Sequence, residues 1–485
     1  MKHTRIFATL ALLVGMGTAS FAQMISPVDF MRNNPRSNNA NPAFFIKDYG
    51  YFDLGLGGLN IGVENIGLKY DNFFRFNSAG QPTVLDLNQG LASLGDENYI
   101  GTYFNFDIFS CGRRTKHGYF TYVHRIREVQ SLSFNKDLVQ LLANGNAAFL
   151  GEENPADINL GLAARAFQEF DLGYQMALEE HLNIGFRLKF LMGFMDAKTN
   201  NFNVKLYTDP TTYALKIMSA ADIQATLPYQ FVMENGELQI VDKRFNPANL
   251  FKNYGFGVDL GAEYIINEHF GVAAAVNDLG RITWNNYSIN LLSQIQDAGS
   301  YYDNGAFVFT GLTSDQVNSI MNDPDFASNL LDSLSGYLDV NFQNATKYTT
   351  GLNANFMVRG YFDANASNRF SAQFTGYNLG LGIKPAVTLA YTGSFSDKYD
   401  LVATYTMMPG SYDNVGIGLS ANFGGLLLYV ASNNVLGFFN PANSSHLNAQ
   451  FGISLTSGEF VSREEAIIIR DKAASNYDED DDDDW

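Results

Sequence analysis

Apolar residues alternate with small or polar ones along much of this chain, most cleanly from Tyr254 to Asp278. Phe256, Val258, Leu260, Ala262 and Tyr264 fall on one side of an extended backbone, and Gly257, Asp259, Gly261 and Glu263 on the other. After Asn267-Glu268-His269 the pattern resumes, with Phe270, Val272, Ala274 and Val276 opposing Gly271, Ala273, Ala275 and Asn277. Successive side chains of a strand point to opposite faces, so this stretch predicts a hairpin with one apolar face. Phe170 to Leu178 and Leu182 to Phe190 repeat the design, and both turns carry Glu-His before an apolar residue. That similarity is too irregular for a repeat of fixed period.

The same reading predicts strands over Tyr51 to Tyr70, Tyr99 to Ser110 and Gly118 to Arg127, the last two joined by a turn at Cys111 to His117. Later strands are predicted over 351–361, 370–377, 387–395, 399–407, 415–423, 426–431 and 447–455, about fourteen in all. Lys136 to Ala143 reads as a short helix in a loop, and Ser314 to Tyr337 as helical, broken at Asp323-Pro324. Thr199 to Asp242 reads as a long polar excursion. Short connections near 179, 267, 365 and 397 contrast with long ones near 200–250, 290–345 and 435–445. Short turns at one end and long loops at the other are the habit of outer-membrane barrels. The expected fold is therefore all-β: a transmembrane antiparallel β-barrel of about fourteen strands, with helical insertions in long extracellular loops.

Composition agrees. Charged residues are 17% of the chain, against roughly 25% in ordinary soluble domains. Aromatics reach 14%, with 40 Phe and 26 Tyr, a mix that favours strands over helices. The net charge of −19 argues against a nucleic-acid partner, which requires a basic face. The run Asp478 to Asp484 supplies seven of the acidic groups, leaving −12 on the rest. The single cysteine, Cys111, excludes an intramolecular disulfide.

Residues 1–22 read as a secretory signal. Lys2, His3 and Arg5 precede the apolar run Ile6 to Met16, and Ala-Ser-Phe-Ala ends at Ala22. Nowhere else do 18 uncharged apolar residues run together, so helical membrane spans are not expected. Residues 23–50 are Asn-rich, lack alternation and are expected to pack as an irregular N-terminal segment. Residues 51–457 are expected to form the barrel, and 458–485 an acidic periplasmic extension. Asn-Pro-Ala occurs at Asn41-Pro42-Ala43, Asn154-Pro155-Ala156, Asn246-Pro247-Ala248 and Asn440-Pro441-Ala442. Pro after Asn opens turns, so loop punctuation explains the motif at least as well as a role at the barrel mouth.

No two of the six histidines stand at metal-binding i, i+4 spacing, and no second cysteine is present for a zinc site. No G-x-S-x-G nucleophile motif occurs. Gly255-Phe256-Gly257 and Gly416-Ile417-Gly418 follow from strand alternation rather than from nucleotide binding. Neither an enzyme nor a cofactor or metal site is expected. Candidate lumen-lining groups are Arg187, Lys189, Asp259, Glu263 and Arg359, all on the small or polar side of strands. They either pair with one another, as buried charges do, or line a path for cargo.

Three stretches carry a family resemblance: SNNANPAFF near the mature start, DLVQLLANGNAAFLG at Asp137 to Gly151, and LGYQMALEEHLNIGFRLKFLMG through LYTDPTTYAL. Together they resemble Bacteroidota outer-membrane proteins known only as a domain of unknown function. That family is similar in turn to the long-chain fatty-acid transporter (FadL-like) barrels, which have fourteen strands and an N-terminal hatch with an Asn-Pro-Ala motif. Here Asn41, Pro42 and Ala43 match that motif. The resemblance implies an outer-membrane location, a plugged pore, and lipid and apolar small molecules as partners. The acidic tail departs from the transporter pattern. An accessory subunit of an outer-membrane secretion or assembly complex, with a periplasmic or outer-membrane protein partner, is the competing expectation. A soluble secreted all-β protein is the third, disfavoured by low charge and loop asymmetry.

Overall fold

The computed structural model describes residues 25–44, 51–76, 82–115, 118–179, 181–211, 215–227, 230–234, 237–242, 252–285, 288–295, 341–345, 347–396 and 398–458. The expected signal segment, the helix at Ser314 to Tyr337, the motif at Asn246 and the acidic tail lie outside the described residues.

Fourteen strands close into one antiparallel barrel. In chain order they are β1 Phe52–Ile66, β2 Glu97–Arg114, β3 Tyr119–Asn135, β4 Ala156–Glu179, β5 Leu182–Thr208, β6 Tyr254–Ile265 and β7 Phe270–Trp284. They continue as β8 Asn355–Asn365, β9 Asn368–Asn378, β10 Ile383–Phe395, β11 Tyr399–Met408, β12 Ser411–Phe423, β13 Leu426–Ser432 and β14 His446–Ser457. Each pairs with its chain neighbours, and β1 pairs with β14, from Phe52↔Ser457 to Glu64↔His446. Closure gives every strand a neighbour on both sides, so the wall has no edge strand.

The polarity is the inverse of a soluble protein's. Along β6, Phe256 and Leu260 are 63% and 50% exposed while Asp259 is 1% exposed. Leu172, Leu188, Val358, Phe370, Leu389, Leu419 and Phe451 continue the apolar exterior around the wall. Buried Thr388, Thr392, Thr404, Ser420 and Asn422 show the polar interior between the same strands. A continuous apolar exterior of this extent belongs against acyl chains, because soluble monomers seldom expose large apolar patches. Among the described residues, no helix is long and apolar enough to cross a membrane; the crossing element is the strand.

Connections after β2, β4, β6, β8, β10 and β12 are at most four residues long. The long ones, residues 67–96, 136–155, 209–253, 285–354 and 433–445, share the opposite end. Two short ones, 379–382 and 409–410, lie there too. A helix at Lys136–Asn144 stands where the pattern predicts one.

Two expectations need correction. The turn predicted at Cys111 to His117 is tighter: Cys111, Arg113 and Arg114 belong to β2, and the Thr115 N–H donates to the Gly118 carbonyl at 2.8 Å. The supposed excursion from Thr199 is largely sheet. β5 runs to Thr208 and pairs with Leu215–Thr226, which in turn pairs with Ser288–Ile295. One face of this stretch is buried and apolar, with Val204, Leu206 and Ile217 packed in a cluster with Leu141, Phe149 and Ile158; the interleaved Asn203, Lys205 and Lys216 give it its polar composition.

Candidate functional site

The barrel interior is occupied by the chain's own N-terminal segment. Residues 25–44 begin with two short 3₁₀ turns, Pro27–Phe30 and Pro35–Asn39, each with Pro at its start and a capping side chain before it. The Ser26 hydroxyl accepts from the Val28 N–H, and the Asp29 carboxylate accepts from the Ser26 N–H at 2.9 Å. Asn34 caps the second turn by accepting from the Arg36 N–H at 2.9 Å. Local capping allows an Asn-rich stretch to fold compactly without helix propensity or alternation.

Contacts then tie this segment to the wall on many sides. Arg36 pairs with Asp53 of β1, which also accepts from the Tyr119 hydroxyl at 2.8 Å. The Asn33 N–H and side chain both donate to Asp400 of β11. The Asn433 side chain donates to the Ile25 carbonyl at 2.7 Å. Arg359 donates to the Asp29 carbonyl at 2.9 Å and lies over the rings of Phe30 and Phe44, 4.1 and 4.7 Å from their centroids. Burial pushes the Asp29 carboxyl up to about 6, against the opposing pull of the Ser26 amide and Arg359.

Asn41-Pro42-Ala43 is the tightest point. The Asn41 amide donates to the carbonyls of Ala262 on β6 and Ala274 on β7, both at 3.2 Å, while its oxygen accepts from the Ala43 N–H at 2.8 Å. Gly185 on β5 and Gly261 on β6 make room. A β-carbon on Gly185 would overlap the Pro42 carbonyl, and one on Gly261 the Asn41 side chain. Here glycine serves close backbone approach rather than a turn.

Beside the segment runs a belt of buried ion pairs. Lys189 lies 2.6 Å from Asp278 and 2.9 Å from Asp259. Arg127 of β3 donates to both Asp278 oxygens, at 2.8 and 3.0 Å, and to Glu169 at 2.9 Å. β3 and β7 are not neighbours in the wall, so this fork reaches across the lumen. Arg125 pairs with Asp107 and approaches Glu169 at 3.5 Å. Arg187 pairs with Asp259 at 3.3 Å and donates to the Asn38 side-chain oxygen at 2.6 Å.

All five candidate lumen residues lie inside the barrel, but they do not form one cluster. Arg187, Lys189 and Asp259 share the belt. Glu263 stands apart, accepting from Tyr361 at 3.0 Å and Asn183 at 3.1 Å. Arg359 serves the N-terminal segment and receives Gln373 as partner at 2.8 Å. Sequence reasoning passed over Asp278, Arg127, Glu169 and Arg36. Arg127 and Glu169 follow the inward period of their strands. Asp278 breaks the period: it sits in a bulge opposite Asp259 with φ +61°, and its N–H donates to Asp259 at 2.7 Å. An Asn-Asp pair interrupting clean alternation was the available signal.

The N-terminal segment also joins an apolar cluster. Ile25, Val28, Phe30 and Met31 pack with Tyr99, Tyr103, Val129, Tyr377 and Leu379. A polar cavity of about 20 Å³ remains between Asp29, Arg36, Asn60, Asn105 and Arg125. That is room for about one water.

A closed, inside-polar barrel with its own N-terminal segment lodged in the lumen is the class that this geometry defines. The chain belongs to a family of unknown function, DUF5723, whose model matches residues 42–433. No curated protein matches it. Among solved structures, the chain is similar to the Ralstonia pickettii toluene transporter TbuX, with 10% identity, TM-score 0.40, and 92% and 96% of the two chains covered. It is also similar to the Pseudomonas putida toluene transporter TodX, with 8% identity, TM-score 0.38, and coverage of 90% and 98%. A Pseudomonas aeruginosa FadL homologue gives 9% identity, TM-score 0.36, and coverage of 91% and 98%.

Proposed function

We propose that this protein is an outer-membrane barrel in which residues 25–44 act as a hatch, and that it admits small hydrophobic compounds when the hatch yields. The outer-membrane location rests on the apolar exterior of a closed barrel without apolar helical spans. The single observation that carries the cargo class is the composition of the chamber behind the hatch. Withdrawing Ile25, Val28, Phe30 and Met31 would leave Tyr99, Tyr103, Val129, Tyr377 and Leu379 facing an unfilled space. Only an apolar guest restores those contacts without stranding polar groups. The ion-pair belt would hold the resting hatch; it contacts no cargo in this scheme. No chemical step is required, and the barrel works as a conduit rather than an enzyme.

Initial uptake of a radiolabelled small aromatic hydrocarbon by intact cells tests the proposal. Cells making the protein should take it up several-fold faster than cells lacking it, and a second apolar compound should compete. Equal rates, together with a stoichiometric protein partner after extraction in mild detergent, would instead establish a subunit of a larger assembly.

A further inference from the structure

The wall is short of strand along β13. Its seven residues reach about 23 Å along their own axis. Tilted, they fall short of an apolar band about 25 Å tall. Pairing with β12 stops at Ile417↔Ser432, and pairing with β14 stops at Ala431↔Gln450. Both neighbours run on, β12 back to Ser411 and β14 back to His446. Above Ser432, therefore, two strand edges face each other with no strand between them.

Residues 433–445 fill that place. Their short helix Val435–Phe439 packs against both β12 and β14. Gly437 turns toward the wall, where a β-carbon would overlap the side chains of Leu447 and Ser444. Asn434 caps the helix and donates to the His446 carbonyl at 2.9 Å and to the Asn414 side chain at 3.3 Å. The Asn433 N–H donates to the Asn448 side chain at 2.8 Å. Such side chains stand in for the absent ladder; in lipid an unfilled edge would have nothing to bond.

The other side of the helix is bare. Leu436, Phe438 and Phe439 are 49%, 54% and 88% exposed. They lie beyond the outward-facing Val430 at the upper end of β13, with exposed Tyr412 near the top of β12. This surface is therefore continuous with the lipid-facing exterior, and its aromatics suit the membrane boundary. We propose that the Val435–Phe439 helix is a wall element whose outer face, Leu436, Phe438 and Phe439, is buried in the acyl chains of the outer leaflet. The inference rests on the membrane-barrel reading, so its test carries an internal reference.

Phe439→Trp and, separately, Leu419→Trp on the exterior of β12 are folded into phosphatidylcholine vesicles containing doxyl-labelled chains. Folding is verified by heat-modifiable gel mobility, and wild-type emission is subtracted. Leu419→Trp should lose most emission to a label deep in the bilayer, and Phe439→Trp to a label near the headgroups. Quenching of Leu419→Trp alone overturns the helix inference and leaves the barrel standing. Quenching of neither overturns both. Should Phe439→Trp fail to fold, Phe438→Trp reads the same surface.

Discussion

Asp278 concentrates the physics of the interior in one residue. Its two oxygens receive Arg127 and Lys189, and its backbone occupies the left-handed region. Asn tolerates that backbone better than most residues, so Asp278→Asn removes charge while sparing conformation. Two buried cations then lose one of the carboxylates they share, keeping Glu169. Breaking a buried pair from one side costs about 3–5 kcal/mol. The expected outcome is a destabilisation of that size in urea titrations of the detergent-solubilised barrel, followed by tryptophan emission. A change below 1 kcal/mol would mean that the belt is solvated and holds little. At this scale much was readable beforehand: Arg187, Lys189 and Asp259 lie inside because alternation places them there. Asp278 was hidden because a bulge shifts its register, and Arg36 because no period exists in the segment that carries it.

At the scale of elements, the N-terminal segment and the wall meet through glycine. Gly185 and Gly261 let Asn41-Pro42 touch the backbone of β5 and β6. Gly261→Ala should push this corner of the segment off the wall, with the β6–β7 ladder intact. The expected result is faster tryptic cleavage at Arg36, which is otherwise buried, with unchanged heat-modifiable mobility. Cleavage at the wild-type rate would show that the motif contributes no anchoring. Strand positions were legible wherever one face meets lipid, as in β6 and β12. They were less legible beyond Thr199 in β5, where Asn201, Asn203 and Lys205 give the stretch a polar composition although Phe202, Val204 and Leu206 alternate with them and pack with Ile158 and Ile217. The partners of the N-terminal segment were illegible for another reason. Asn41 meets Ala262 and Ala274 across more than two hundred residues of chain, a distance that no local pattern encodes.

For the whole molecule, the unequal lengths of the connections predict an orientation. The turns after β2, β4, β6, β8, β10 and β12 are short and share one end with the start of β1 and the end of β14. Short turns face the periplasm in barrels of this kind. Ser367 lies in the turn between β8 and β9, and Ala442 in the long connection before β14. In a Cys111→Ser background, Ala442→Cys should react with a membrane-impermeant maleimide on intact cells. Ser367→Cys should react only after the outer membrane is opened. The reverse pattern would invert the barrel: the short turns would face outward, and the N-terminal segment would enter the lumen from the cell exterior. A segment entering from outside could not be reached by a periplasmic partner, so this labelling also decides from which side release of the segment could be driven.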